Sequence, residues 1–206
     1  LFANNYARNN KNLLENGNAE NVQDIVLYDE TNDNNSNSTF LQSADFAHSG
    51  TYGEKFTKTV AAGTDARVRF HAHAAATASS MSRLLAGLEY TIEAWIYVPT
   101  ASGILGTEVS LVLDDDTAVP TATAGVNTYD AWQKVSVTRR LGVASTGVEV
   151  AVVAASAAAN GEYFYADDVR VFPTGVNNEH QQQLQKSYGT ENNVETGNSW
   201  QNPYPA

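Results

Sequence analysis

The feature that most constrains this chain is a strict alternation of apolar and polar residues, repeated in one segment after another. Over residues 88–98, Leu88, Tyr90, Ile92, Ala94, Ile96 and Val98 fall on one face, and Glu89, Thr91, Glu93, Trp95 and Tyr97 on the other. Over residues 67–74, Val68, Phe70, Ala72 and Ala74 alternate with Arg67, Arg69, His71 and His73. Over residues 132–138, Val135 and Val137 oppose Lys134 and Ser136. A period of two is that of a β-strand with one face in a core. The same reasoning predicts strands at 24–28, 54–60, 108–113 and 148–153. Turn-forming clusters separate them at 32–38, 62–65, 99–106, 114–116, 123–128, 142–147 and 160–161. Many short strands at this spacing make a sandwich or a barrel. The one segment with a helical alternative is 73–87. Its alanines and leucines favour helix, while Thr77, Ser79 and Ser80 interrupt the run.

The chain has 206 residues, 42% of them apolar, enough for one domain with a real core and extensions. It contains no cysteine, so no disulfide holds it. A formal charge of −11 repels phosphate backbones and argues against nucleic acid as a partner. No apolar run approaches the ~20 residues of a membrane-spanning helix, so no membrane partner is expected. Both ends are polar. Residues 1–12 are rich in Asn, with Leu1, Phe2 and Tyr6 as isolated anchors, and residues 173–206 carry Gln181-Gln182-Gln183, Asn177-Asn178 and Asn192-Asn193. Such segments bury too little apolar area to order alone. They order against a packed neighbour, a second subunit or their own domain. The chain thus divides into an N-terminal arm (1–12), a β-sandwich domain (13–172) and a C-terminal arm (173–206).

Four motifs sharpen this reading. They are Asn12-Leu13-Leu14-Glu15-Asn16-Gly17-Asn18-Ala19-Glu20, His48-Ser49-Gly50-Thr51-Tyr52, Gly87-Leu88-Glu89-Tyr90-Thr91-Ile92-Glu93-Ala94-Trp95, and Tyr163-Phe164-Tyr165-Ala166-Asp167-Asp168-Val169-Arg170-Val171-Phe172. In this order they resemble the carbohydrate-binding modules of the family 4/9 type. The resemblance covers about residues 12–172. It implies an all-β jelly-roll β-sandwich of two antiparallel sheets, here with extended terminal arms, and a non-catalytic module. It further implies a structural calcium ion held by Glu20, by the Ser49–Tyr52 turn and by Asp168. Calcium takes about 6–8 oxygen ligands, which two carboxylates and several carbonyls can supply. This chain has Ala19 where the family usually has an aromatic residue before that Glu. In the family the concave sheet contacts the ligand. Similar modules also occur in phage virion proteins and bacterial surface proteins.

The residues themselves add a candidate ligand face. Trp95 and Tyr97 point away from the core face of their strand, with Glu93 beside them, and Arg69 and His71 lie on the polar face of another. An aromatic plate flanked by hydrogen-bonding groups suits a sugar, whose C–H face stacks on a ring while its hydroxyls meet charged groups. The competing reading is a Trp covered by a loop or an arm. His71 and His73 share a strand face and can in principle hold a transition metal, but a satisfied polar pair is the commoner use of such residues. Asp114-Asp115-Asp116 reads as a solvated turn. No nucleophile elbow, metalloprotease motif or phosphate-binding loop is present. Glu89 and Glu93, four apart on one strand, are about 13–14 Å apart. That exceeds the roughly 6.5–9.5 Å of an inverting glycosidase pair. The expected function is therefore that of a non-catalytic structural protein of a virion or another extracellular array, with protein subunits as partners. The alternative is a glycan-binding module at a cell surface.

Overall fold

The computed structural model describes residues 12, 14–21, 26–27, 33–34, 37–72, 87–115, 122–142 and 149–174. Among them twelve strands run in chain order. They are β1 (Leu14–Glu15), β2 (Val26–Leu27), β3 (Asp33–Asn34), β4 (Ser38–Ser43), β5 (Gly53–Lys58), β6 (Ala66–Ala72), β7 (Glu89–Tyr97), β8 (Val109–Asp114), β9 (Ala122–Gly125), β10 (Trp132–Arg140), β11 (Glu149–Ala154) and β12 (Tyr163–Pro173). One five-stranded sheet has the order β10-β7-β12-β5-β4 and a second the order β3-β6-β11-β8-β9, while β1 and β2 pair separately. Every pairing among the described residues is antiparallel. The fold is the expected all-β sandwich of two antiparallel sheets.

The alternation read from the sequence becomes the core. Tyr90, Ile92, Ala94 and Ile96 of β7 are buried with Val68 and Phe70 of β6, Leu111 and Leu113 of β8, and Val150 and Val152 of β11. Phe56 stacks on Phe164 at 4.6 Å within the first sheet, and Phe40 meets Phe70 of the second at 5.8 Å. Each fully buried aromatic contributes roughly 1.5–3 kcal/mol of transfer free energy. Lys58 is buried too. Its ammonium donates to the carbonyls of Ala155, Ser156 and Ala158 and thereby holds the turn that leads into β12.

Beyond the strands read from alternation lie β1, β3, β4, β9 and β12. β3 lies inside the expected 32–38 turn and β4 starts at its last residue, while β9 begins just before the expected 123–128 turn and runs into it. The Asp114-Asp115-Asp116 reading also needs correction. Asp115 is not solvated but buried, bonded to the buried guanidinium of Arg139 and accepting the Gly142 amide at 2.6 Å. The helix-or-loop segment lies outside the described residues except for Gly87. So do both arms, except for Asn12 and residues 173–174.

Candidate ligand-binding face

The outer face of the first sheet is organised in rows, because register puts residues of neighbouring strands side by side. Trp132 is opposite Tyr97, Tyr97 opposite Tyr165, Tyr165 opposite Lys55, and Lys55 opposite Leu41. At about 4.8 Å per strand this line crosses all five strands in about 19 Å. The next row contains Lys134, Trp95 and Asp167, and the one after it Ser136, Glu93 and Arg170. One end of the sheet is thus aromatic and the middle is charged.

The charges are matched locally. Glu93, with its side chain 12% exposed, lies between Lys134 at 2.8 Å and Arg170 at 3.3 Å. Lys55 lies over the ring of Tyr163 at 4.2 Å and over that of Tyr165 at 5.5 Å, with Asp45 at 3.8 Å. Tyr165 donates its hydroxyl to Asp45 at 3.1 Å. Burial first, and this hydrogen bond second, push its phenol well above the usual tyrosine range.

A loop over residues 44–52 lies across the aromatic end. Phe46 stacks on Tyr97 at 4.4 Å, and His48 stacks on Trp95 at 3.9 Å with the rings 14° apart. What holds the loop down is an irregularity in β12. Between Asp167 and Arg170 the register with β7 slips, and Asp168 adopts a left-handed backbone with φ of 49°. A bulge of this kind re-aims side chains. Here it turns two consecutive carboxylates toward the loop. Asp167 accepts the amides of His48 at 2.8 Å and Ser49 at 3.0 Å, as well as that of Asp168. Asp168 accepts the Ser49 hydroxyl at 3.0 Å and bonds His48 Nδ1 at 2.7 Å. Asp167 is fully buried, and this burial raises its carboxyl above the ordinary aspartate value, opposed by the three N–H donors.

The other end of the loop is closed by Glu20, whose Oε1 accepts the amides of Thr51 at 2.8 Å and Tyr52 at 3.0 Å. Gly50 makes this approach possible. A Cβ there would lie 2.2 Å from Glu20 Oε1, and its φ of 66° disfavours any other residue. The four residues expected to hold calcium, Glu20, Ser49, Tyr52 and Asp168, are therefore brought together as a hydrogen-bond clasp. The turn directs N–H and O–H donors at oxygens of these carboxylates, where a calcium ion would take converging oxygens. Among the described residues no group of three or more His, Cys, Asp or Glu is placed to share a metal.

Of the expected ligand residues, Trp95, Tyr97 and Glu93 share this face. Arg69 and His71 do not. They belong to β6 in the opposite sheet, because alternation tells which face of a strand is polar but not which sheet the strand joins. His73 lies outside the described residues. Sequence reasoning missed Trp132, Tyr165, Phe46 and His48. Trp132 was findable, since it has the parity of Lys134 and Ser136. Phe46 and His48 sit on a loop, where no periodicity marks a side chain's direction.

No known family's sequence model matches the chain, and no curated protein matches it. Solved structures do. The xylan-binding domain CBM22-1 of Xyn10C from Paenibacillus barcinonensis has a TM-score of 0.50 at 10% identity, covering 76% of this chain and 91% of that one. The enzymatically active domain of bacteriophage CBA120 tailspike protein 4 has a TM-score of 0.49 at 8% identity, covering 79% of this chain and 21% of that one. TmCBM61 in complex with β-1,4-galactotriose has a TM-score of 0.48 at 13% identity, covering 80% of this chain and 99% of that one. At these identities the likeness is one of fold, and the first of them shows the fold to be the β-sandwich of a carbohydrate-binding module.

Proposed function

We propose that this chain is a non-catalytic glycan-binding module that uses the outer face of the β10-β7-β12-β5-β4 sheet. The observation that carries the reading is the coincidence, on one face, of in-register aromatic rings with a row of hydrogen-bonding side chains. A pyranose has an apolar C–H face and a rim of hydroxyls. A site with planar rings beside Lys134, Glu93, Ser136 and Arg170 meets both needs. The name of the xylan-binding neighbour supports the same class of ligand. The carboxylates here serve structure rather than turnover. Glu93 is tied to two cations and Asp167 to three amides. A family 4/9 affiliation, an extracellular or cell-surface location and a calcium-independent clasp belong to the same proposal.

The test is retention on a panel of insoluble polysaccharides that includes xylan and β-1,4-galactan. The wild-type chain should be retained on at least one, and Trp132→Ala should weaken that binding about tenfold, or about 1.4 kcal/mol. A wild-type chain retained on none of them would reject the reading.

A structural role in a virion or another array is the second reading, favoured by the polar arms. Under it the arms engage neighbouring subunits. Removing residues 1–11 and 175–206 should then abolish assembly, measured by light scattering, and leave the sandwich folded. Normal assembly of the shortened chain would count against it.

A further inference from the structure

The aromatic end of the sheet is two rings deep, and the outer ring of each pair comes from the loop. We infer that the surface a pyranose meets is formed by Phe46 and His48, with Trp132 beside them, while Trp95 and Tyr97 are the floor beneath. The inference rests on the glycan-binding reading and names the residues that decide its specificity.

Stacking distance carries the first step. His48 lies 3.9 Å from Trp95 and Phe46 lies 4.4 Å from Tyr97, so no sugar ring fits within either pair. The loop-borne rings remain accessible, Phe46 being 37% exposed and the His48 side chain 26%.

The loop is also no loose cover. Six donors anchor it to carboxylates, namely the amides of His48, Ser49, Thr51 and Tyr52, His48 Nδ1 and the Ser49 hydroxyl. Lifting His48 off Trp95 would strain its own amide and Nδ1 bonds to Asp167 and Asp168 together. A preorganised surface of this kind binds without an ordering cost.

Chemistry then assigns His48 a polar role. A carboxylate only accepts, so the bond to Asp168 puts the proton of neutral His48 on Nδ1. Nε2 then has a free lone pair and, among the described residues, no hydrogen-bond partner. It suits a sugar hydroxyl as donor. The ligand class is an uncharged pyranose, because the cations described on this face are already matched, Lys134 and Arg170 to Glu93 and Lys55 to Asp45. Asp168, acting through His48, is a positioning residue.

The experiment measures affinity for whichever polysaccharide of the panel retains the wild-type chain, alongside the melting temperature. His48→Ala should weaken binding tenfold or more. His48→Phe, which keeps the stack on Trp95 and loses Nε2, should weaken it less. Affinity of His48→Ala equal to or above wild type would overturn the inference, since Trp95 would then be the true contact. If His48→Ala also lowers the melting temperature, Phe46→Ala decides, because Phe46 bonds neither Asp167 nor Asp168. Weakened binding in that variant supports the inference and unchanged affinity refutes it. A wild-type chain bound by no polysaccharide removes the underlying reading as well, and that outcome is distinct from all of these.

Discussion

Single residues decide how the ends of the sheet face are built, and several act through ionisation. Asp130 accepts the Thr100 hydroxyl at 2.6 Å and the Thr100 amide at 2.9 Å, pinning the 3-10 turn Thr100–Ser102 beyond β7. Those two bonds, the hydroxyl first, hold its carboxyl below the ordinary aspartate value of 3.8. A lowered folded-state value means that the stabilisation is complete above the unfolded value and is lost as pH falls through the folded one. Asp130→Asn should therefore melt below wild type at pH 7, and the gap should close as the pH is taken below 3.8. A gap independent of pH in thermal scans would refute the account. Legibility at this scale was uneven. The parity of Trp95, Tyr97 and Glu93 was readable because all three lie in β7, where apolar and polar residues alternate without a break. The burial of Asp115 was not, although its cause was in view. Arg139 continues the Val135, Val137 parity onto the core face, and a cation there needs an acid partner.

Among elements, the irregular stretch of β12 matters more than any regular strand. It is held open by Asn12, which the sequence reading assigned to an arm. The Asn12 amide donates to the Val169 carbonyl at 2.7 Å, and its oxygen accepts the amides of Val171 at 2.9 Å and Leu14 at 3.1 Å. Gly17 lies against the same bulge, where a Cβ would come within 2.2 Å of the Val169 oxygen. Asn12→Ala should cost about 2 kcal/mol, since three part-buried hydrogen bonds are lost and a net bond contributes about 0.5–1.5 kcal/mol. Urea denaturation measures the cost, and hydrogen exchange should show the Val171 amide losing protection. Retained protection would mean that the bulge stands without Asn12. Strands with clean alternation, such as β7 and β10, were legible in the sequence. β4 was not, because Phe40 and Leu41 are adjacent apolar residues, one buried and the other 60% exposed. β9 has only Ala, Thr and Gly, which read as turn. Sheet membership was likewise beyond alternation, which is why Arg69 and His71 were grouped with a face they do not share.

For the whole molecule, the clasp sets how the parts of the sandwich are tied. Glu20 follows β1, the 48–52 turn lies between β4 and β5, and Asp167 and Asp168 belong to β12, so segments more than a hundred residues apart in the chain meet at one point. The motifs at this point were legible as a cluster, and their order carried the fold. What joins them was not legible, because the same carboxylates can serve a cation or a set of N–H donors. Ala19 fits the second use. It is fully buried, has a φ of 57° and turns its carbonyl to the Gln42 amide at 2.7 Å, which fixes Glu20 beside the turn. A ligand that binds only the folded state raises its melting temperature by mass action. A clasp completed by its own donors has no such linkage to calcium. The melting temperature should therefore be the same in excess calcium and in excess chelator, whereas Glu20→Ala, which leaves the Thr51 and Tyr52 amides without their acceptor, should lower it in both. A transition that falls on chelation in the wild-type chain, and no longer responds in the variant, would mean that a cation and not these amides closes the sandwich.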